Sequence, residues 1–293
     1  MIKKPWPIAL SLVLVLSVVL LTAASCNLVH GTSPTVTQIT CDGQQASTNG
    51  SSSPTTNNPC SRRLLVFSKT GGFRHASIKD GKIALRKLAT EHKFEVDFSE
   101  DASVFTDANL THYDAVVFLL TTGKILDDNQ KAAFERYIRA GGGYVGVHSA
   151  SDTEYDWSWY GGLVGAYFDR IHGHSKVVQA TIHVTDRTHL STMMLPALWV
   201  RTDEWYNFAS NPRGKVNVLM TIDERSYKGG TMGADHPIAW YHEYDGGRAW
   251  YTALGHTSES YYEPLFLAHL WGRIMYAAGR QGNSVDIKEN ICG

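Results

Sequence analysis

The chain has 293 residues, with 27 Lys and Arg set against 28 Asp and Glu for a formal net charge of −1. Both signs are mixed along the sequence and no basic stripe forms, which argues against nucleic acid as a partner. Once the two ends are set aside, residues 62–280 remain, a length that suits one sizeable domain.

The N-terminus reads as an export signal. Met1-Ile2-Lys3-Lys4 is a charged start, Pro7 to Ala24 is apolar, and Ala23-Ala24-Ser25 supplies small residues before Cys26. Residues 1–25 are therefore expected to be a signal peptide. Leu21-Thr22-Ala23-Ala24-Ser25-Cys26 resembles a bacterial lipoprotein signal, with Cys26 the lipidated residue, although Ala23 stands where a larger aliphatic residue is usual. Simple cleavage and an uncleaved anchor are the alternatives, since ~18 apolar residues can span a bilayer. All three place the rest of the chain outside the cytoplasm, and the first joins it to a membrane through an N-terminal lipid.

Residues 26–61 are rich in Ser, Thr, Asn, Gly and Pro and cannot bury enough apolar surface to offset their ordering entropy, so they read as a tether. The four cysteines are Cys26, Cys41, Cys60 and Cys292. A Cys60–Cys292 disulfide would tie the domain's ends together, and Cys41–Cys60 is the competing pair. Residues 281–293 form a C-terminal tail.

Within the domain, Arg63–Ser68 is a first strand, followed by a loop through Gly71, Gly72 and His75. Apolar spacing predicts a helix over 77–92 and alternation a strand over 94–98. Tyr113–Leu119 is continuously apolar, as in a strand buried on both faces. A helix capped by Asp127 or Asp128 runs to Arg139 and is closed by Gly141–Gly143. Tyr144–Val147 is a fourth strand that stops abruptly at His148, the kind of turn on which α/β enzymes present a nucleophile. Strands and helices alternating over short connections argue a doubly wound sheet, which binds ligands beyond the carboxyl ends of its strands. The loops expected there carry His75, Thr122 and His148. In the second half, 177–184, 198–207, 216–222, 238–244 and 248–254 look extended, with a hairpin at Gly246-Gly247. These extend the sheet partly antiparallel, and 262–278 is a closing helix.

Gly72-Phe73-Arg74-His75, Gly142–Ala150, His172-Gly173-His174, Asp203-Glu204-Trp205-Tyr206 and Gly255-His256-Thr257 together resemble the ThuA-like (trehalose utilisation) family over residues 62–280. The resemblance implies a fold similar to class I glutamine amidotransferases, a flavodoxin-like doubly wound, mostly parallel sheet. It also implies a link to sugar metabolism. Those amidotransferases place a thiolate where this chain has His148. No cysteine lies between Cys60 and Cys292, so hydrolysis of glutamine by that route is excluded.

The candidate catalytic set is His75, His148, Glu204 and His256. Two chemistries are open. In one, imidazoles and a carboxylate hold a divalent metal such as zinc, with His172 and His174 as ligands if the backbone between them is extended. In the other, His148 and Glu204 act as base and acid on a sugar hydroxyl or keto group. Asp152, Asp203, Trp205, Tyr206 and Thr122 are expected to bind the carbohydrate or keto-sugar, with Trp205 or Tyr206 against the ring face. Tyr155, Asp156, Trp157 and Trp159 form a rim or, alternatively, a helix packed on the sheet. A non-catalytic sugar-binding module is the rival function.

Overall fold

A computed structural model describes residues 62–279. The signal peptide, the tether, the tail, and Cys26, Cys41, Cys60 and Cys292 lie outside the described residues. No helix among the described residues is long and apolar enough to cross a membrane.

The elements follow in chain order: β1 (Arg63–Phe67), α1 (Ile78–His92), β2 (Glu95–Ser99), α2 (Asp107–Leu110), β3 (Ala115–Leu119), α3 (Asp128–Arg139), β4 (Gly143–Val147), α4 (Ser158–Val164), β5 (Val178–Val184), β6 (Leu198–Asp203), β7 (Asn217–Ile222), β8 (Pro237–Tyr244), β9 (Gly247–Thr252) and α5 (Pro264–Ala277). One sheet holds all nine strands in the order β2-β1-β3-β4-β9-β8-β7-β5-β6. Ala115–Leu119 and Gly143–Val147 are buried at every position, as two-sided packing demands. Asp127 caps α3 with a reciprocal capping box through Gln130. Phe118, Phe134, Tyr144 and Tyr160 knit β3, α3, β4 and α4 together on one face, while α1 and α5 pack on the other.

The sheet is less parallel than the sequence suggests. Pairings from β2 through β9 are parallel, but all four pairings from β9 to β6 are antiparallel. The reason is connectivity: a parallel pair usually needs an α-helical crossover, and no α-helix separates β7 from β8 or β8 from β9. The β8–β9 hairpin turns on Asp245-Gly246 rather than Gly246-Gly247. Asp245 and Gly246 have φ of 48° and 93°, the positive values that a tight hairpin turn requires.

Successive reversals return β6 to the direction of β9, so its carboxyl end shares an edge with those of β1, β3, β4 and β9. At ~4.8 Å per strand a flat sheet would hold β6 about 19 Å from β9. Instead the Gly255 amide donates to Asp203 Oδ2 at 2.9 Å. The antiparallel half therefore curls back, helped by register shifts around Met220 in the β7–β8 pair.

This core buries histidines that must stay neutral. His189 is stacked on Tyr241 at 4.4 Å, and burial lowers its pKa to about 4. Burial and the Arg273 charge hold His269 well below its ordinary value. Between pH ~6.5 and ~4 the unfolded chain then binds more protons than the folded one, so stability falls as pH falls through that window. We expect His189→Gln to flatten the decline of the thermal midpoint across this window, by up to about 3 kcal/mol of stability. An equal decline in variant and wild type would refute the assignment.

Candidate functional site

Four loops at the carboxyl edge supply the site. After β1, the Gly71 amide donates to Thr122 O at 2.6 Å, and Thr122 Oγ1 donates to Phe73 O at 2.7 Å while accepting from the Gly72 amide at 3.2 Å. The two loops cross so closely that a Cβ on Gly71 would sit 2.5 Å from Lys124 O. His75 follows, and Ser77 Oγ donates to His256 O at 2.7 Å, which ties this loop to the one after β9. After β4, His148 takes φ 52°, a left-handed conformation uncommon for a residue with a Cβ and costly by ~1–3 kcal/mol. The Tyr251 hydroxyl donates to its carbonyl at 2.8 Å and helps hold the turn.

His75, His148 and His256 form a nearly equilateral triangle, with ring centroids 4.9, 5.1 and 5.1 Å apart and interplanar angles of 74–87°. Glu204 completes the set. Its Oε2 lies 3.0 Å from His256 Nδ1 and 3.4 Å from His148 Nε2, and its Oε1 lies 2.9 Å from His174 Nδ1. One donor atom from each of His75, His148, Glu204 and His256 falls within 4.8 Å of all the others. His148 Nδ1 donates to Ala253 O at 2.7 Å, so its Nε2 turns an unshared pair toward the cluster. His75, His148 and Glu204 are buried, and His256 is partly open to solvent.

Burial would raise the Glu204 carboxyl, but the His148 and His256 imidazoles beside it outweigh this and hold the group well below the usual carboxylate range. Burial, with the His148 and His256 rings beside it, pushes His75 down to about 2. For His256 burial acts downward too, yet the Glu204 hydrogen bond and charge prevail and raise it. Held in this range, Glu204 is suited to accept a proton rather than to donate one.

A second layer fixes these groups. Asp203 is fully buried and accepts from the amides of Glu204 (3.0 Å), His256 (3.1 Å) and Gly255 (2.9 Å) and from Ser260 Oγ (3.3 Å). Arg201 Nη2 lies 3.4 Å from its Oδ2. Asp203 therefore positions the site and has no face for a carbohydrate, contrary to the sequence expectation. Trp205 is also fully buried, its Nε1 donating to Val178 O at 2.9 Å, so it offers no ring face to a ligand. Tyr206 packs at 4.2 Å on His148 and at 4.3 Å on Phe168, forming a wall of the site rather than an open platform. Thr122 is a loop clamp, buried and occupied by Gly72 and Phe73.

His172 and His174 do not form a ligand pair. Gly173 has φ 68°, so the backbone turns there and the two rings diverge. His172 is exposed and pairs with Asp169 at 2.5 Å, while His174 lies on Glu204.

Beside the centre is a cavity of about 450 Å³, lined by Gly72, Lys124, Asp152, Tyr155, Phe168 and Arg170 among others. Asp152 connects the two: burial pushes its carboxyl up, and the Tyr155 hydroxyl donating at 2.6 Å, then Arg170, and then the His148 and His174 side chains act the other way. Tyr155 and Asp156 thus line the cavity. Trp157 and Trp159 stack on each other at 5.1 Å and bond Glu135 and Asp245, as in the alternative of a packed helix. Sequence reasoning missed Phe73, 67% exposed and edge-on to His75 at 4.9 Å, and also Lys124 and Arg170. For Phe73 the signal was present: an aromatic residue between Gly72 and Arg74 in a loop with no core to fill.

An α/β protein with a buried histidine–carboxylate centre where its parallel strands end is the class that this fold and site define. Residues 63–277 match the family model described as ThuA, trehalose utilisation, and the chain belongs to that family. A ThuA-like protein of Bacteroides uniformis has a similar structure (TM-score 0.64, 22% identity, covering 77% of this chain and 95% of that one). So does a ThuA-like protein of Parabacteroides merdae (TM-score 0.61, 19% identity, 75% and 90% covered). These likenesses establish the fold. No curated protein matches the sequence.

Proposed function

We propose that the protein is an extracytoplasmic ThuA-like enzyme of carbohydrate metabolism that processes a sugar or keto-sugar at the His75–His148–Glu204–His256 centre. The convergence of these four side chains from four separate loops carries the reading. A buried anion surrounded by imidazoles is costly to assemble and does nothing for the core. The family's association with trehalose utilisation supports the substrate class, and the signal-like N-terminus and lipoprotein-type Cys26 support the location and a membrane anchor. We read the parallel half, in the order β2-β1-β3-β4-β9, as the flavodoxin-like part of an amidotransferase-like fold.

In this reading the centre polarises a carbonyl or hydroxyl oxygen of the sugar, and the adjoining cavity holds the remainder of the molecule. Its volume lies within the ~300–1,000 Å³ usual for small-molecule sites. Asp152 offers an acceptor to hydroxyls, and Phe73 offers its exposed ring to the apolar face of a pyranose. The test is a screen of glycosides and keto-glycosides for turnover and binding, with His148→Ala alongside. Turnover that His148→Ala abolishes while binding persists is the expected result. Binding without turnover in the wild type would instead mark a carbohydrate-binding module. We further expect Phe73→Ala to weaken sugar affinity by roughly tenfold, a loss of about 1.4 kcal/mol, with the fold intact by circular dichroism.

A further inference from the structure

We infer that the centre is a metal site, in which His148, Glu204 and His256 bind one zinc ion and His75 is a longer fourth ligand. This deepens the preceding reading and rests on the same site. It replaces His172 and His174 with a different ligand set.

The spacing carries the inference. Zinc takes imidazole nitrogen and carboxylate oxygen at about 2.0–2.2 Å with tetrahedral geometry. Bonds of that length at a tetrahedral angle put donor atoms about 3.3 Å apart and imidazole centroids about 5.1 Å apart. The observed donor separations are 3.0 Å (His256 Nδ1–Glu204 Oε2), 3.2 Å (His148 Nε2–His256 Nδ1) and 3.4 Å (His148 Nε2–Glu204 Oε2). The three centroid separations are 4.9, 5.1 and 5.1 Å. Three rings steeply inclined to one another, with one donor atom of each within 4.8 Å of the others, match the arrangement of rings around an ion and not a stack.

The proton inventory agrees. His148 spends its N–H on Ala253 O, and its other nitrogen can only accept. Glu204 only accepts. His75 Nδ1 lies 3.4 Å from Ser149 Oγ, which leaves Nε2 for the centre. With His75 donating to Ser149, the lone pairs of His75, His148 and Glu204 outnumber the N–H groups that face them, and a cation satisfies them at once. The outer contacts are those that orient metal ligands: a backbone carbonyl on His148, His174 on the second oxygen of Glu204, and Asp203 on the backbones of Glu204 and His256. Three tight ligands with a looser fourth leave room for a sugar oxygen on the solvent side of His256, as a catalytic zinc requires. Imidazole-rich donors favour zinc over magnesium or calcium.

The experiment uses the full chain, stripped with a chelator and titrated with zinc chloride, cobalt(II) chloride or magnesium chloride alone. We expect one zinc per chain by elemental analysis, a zinc-dependent rise in thermal midpoint that magnesium does not produce, and visible cobalt bands of four- or five-coordinate intensity. His256→Ala and Glu204→Gln should lose the ion and the bands, whereas His172→Ala should keep both. If a variant does not fold, the wild-type titration and the His172→Ala control still decide. Substoichiometric zinc with no shift in midpoint overturns the proposal, as does loss of the site in His172→Ala. Stripped protein that turns over a glycoside at the full rate sinks the metal and leaves the carbohydrate reading standing. Stoichiometric zinc in a protein that binds no sugar does the reverse.

Discussion

Glu204→Gln is expected to lower turnover by roughly 10²–10³-fold, the usual cost of removing one preorganised charged or polar group from an active centre, while the chain stays folded. The substitution keeps volume and shape but removes the negative charge that makes the site what it is. Glu204 faces His148, His256 and His174 through two oxygens that both accept. A glutamine keeps one acceptor and replaces the other with an amide nitrogen that only donates. Whichever way it turns, N–H groups then face a ring that formerly met an oxygen. His256 should lose the partner that raises it, and its titration, followed by proton NMR on the metal-free protein, should move down toward or below the ordinary imidazole value of ~6.5. A variant with wild-type turnover, or an unmoved His256, would show that the carboxylate has no part in the chemistry. The double readout matters because a change confined to packing would leave the His256 titration untouched.

Much of the fold was legible because local pattern and tertiary burial agree. Ala115–Leu119 reads as a two-sided strand from its unbroken apolar run, and Asp127 with Gln130 announces the start of α3. His75 and His148 could be placed on one edge because each lies in the connection after a strand of the parallel half. What could not be read was everything that depends on the curl of the antiparallel half. In the sequence Asp203 and Trp205 look like Tyr206: polar and aromatic residues at a strand end. Only the return of β6 onto the loop after β9 makes Asp203 a buried clamp and sends Trp205 into the core. His172 and His174 failed for a local reason: Gly173 adopts a positive φ that spacing alone does not reveal. Phe73 had a sequence signal in its place between Gly72 and Arg74 of a loop, and only its 67% exposure is a tertiary fact.

Asp203→Asn should be among the most damaging single changes in the protein, although it alters one atom. The carboxylate meets five donors: three backbone amides, Ser260 Oγ and the Arg201 guanidinium. Its Oδ1 takes the Glu204 and His256 amides, and its Oδ2 takes Gly255, Ser260 and Arg201. An asparagine has one oxygen for two such groups, so its amide N–H groups must point at donors on one side or the other. Arg201, itself buried with Nε and Nη1 already unpartnered, would keep only the half-buried Glu263 as counter-charge. Breaking a buried pair by removing one charge typically costs ~3–5 kcal/mol. A loss of that order should show in urea unfolding with an unchanged denaturant slope. The same amides set the positions of Glu204 and His256, so the variant should lose ligand affinity even at temperatures where it remains folded. Stability and affinity should therefore fall together in Asp203→Asn. In Glu204→Gln affinity and turnover should fall while most of the stability is retained, because no buried guanidinium depends on Glu204. If Asp203→Asn proved as stable as the wild type, the clamp would be an incidental contact, and the return of β6 onto the β9 loop would need another cause.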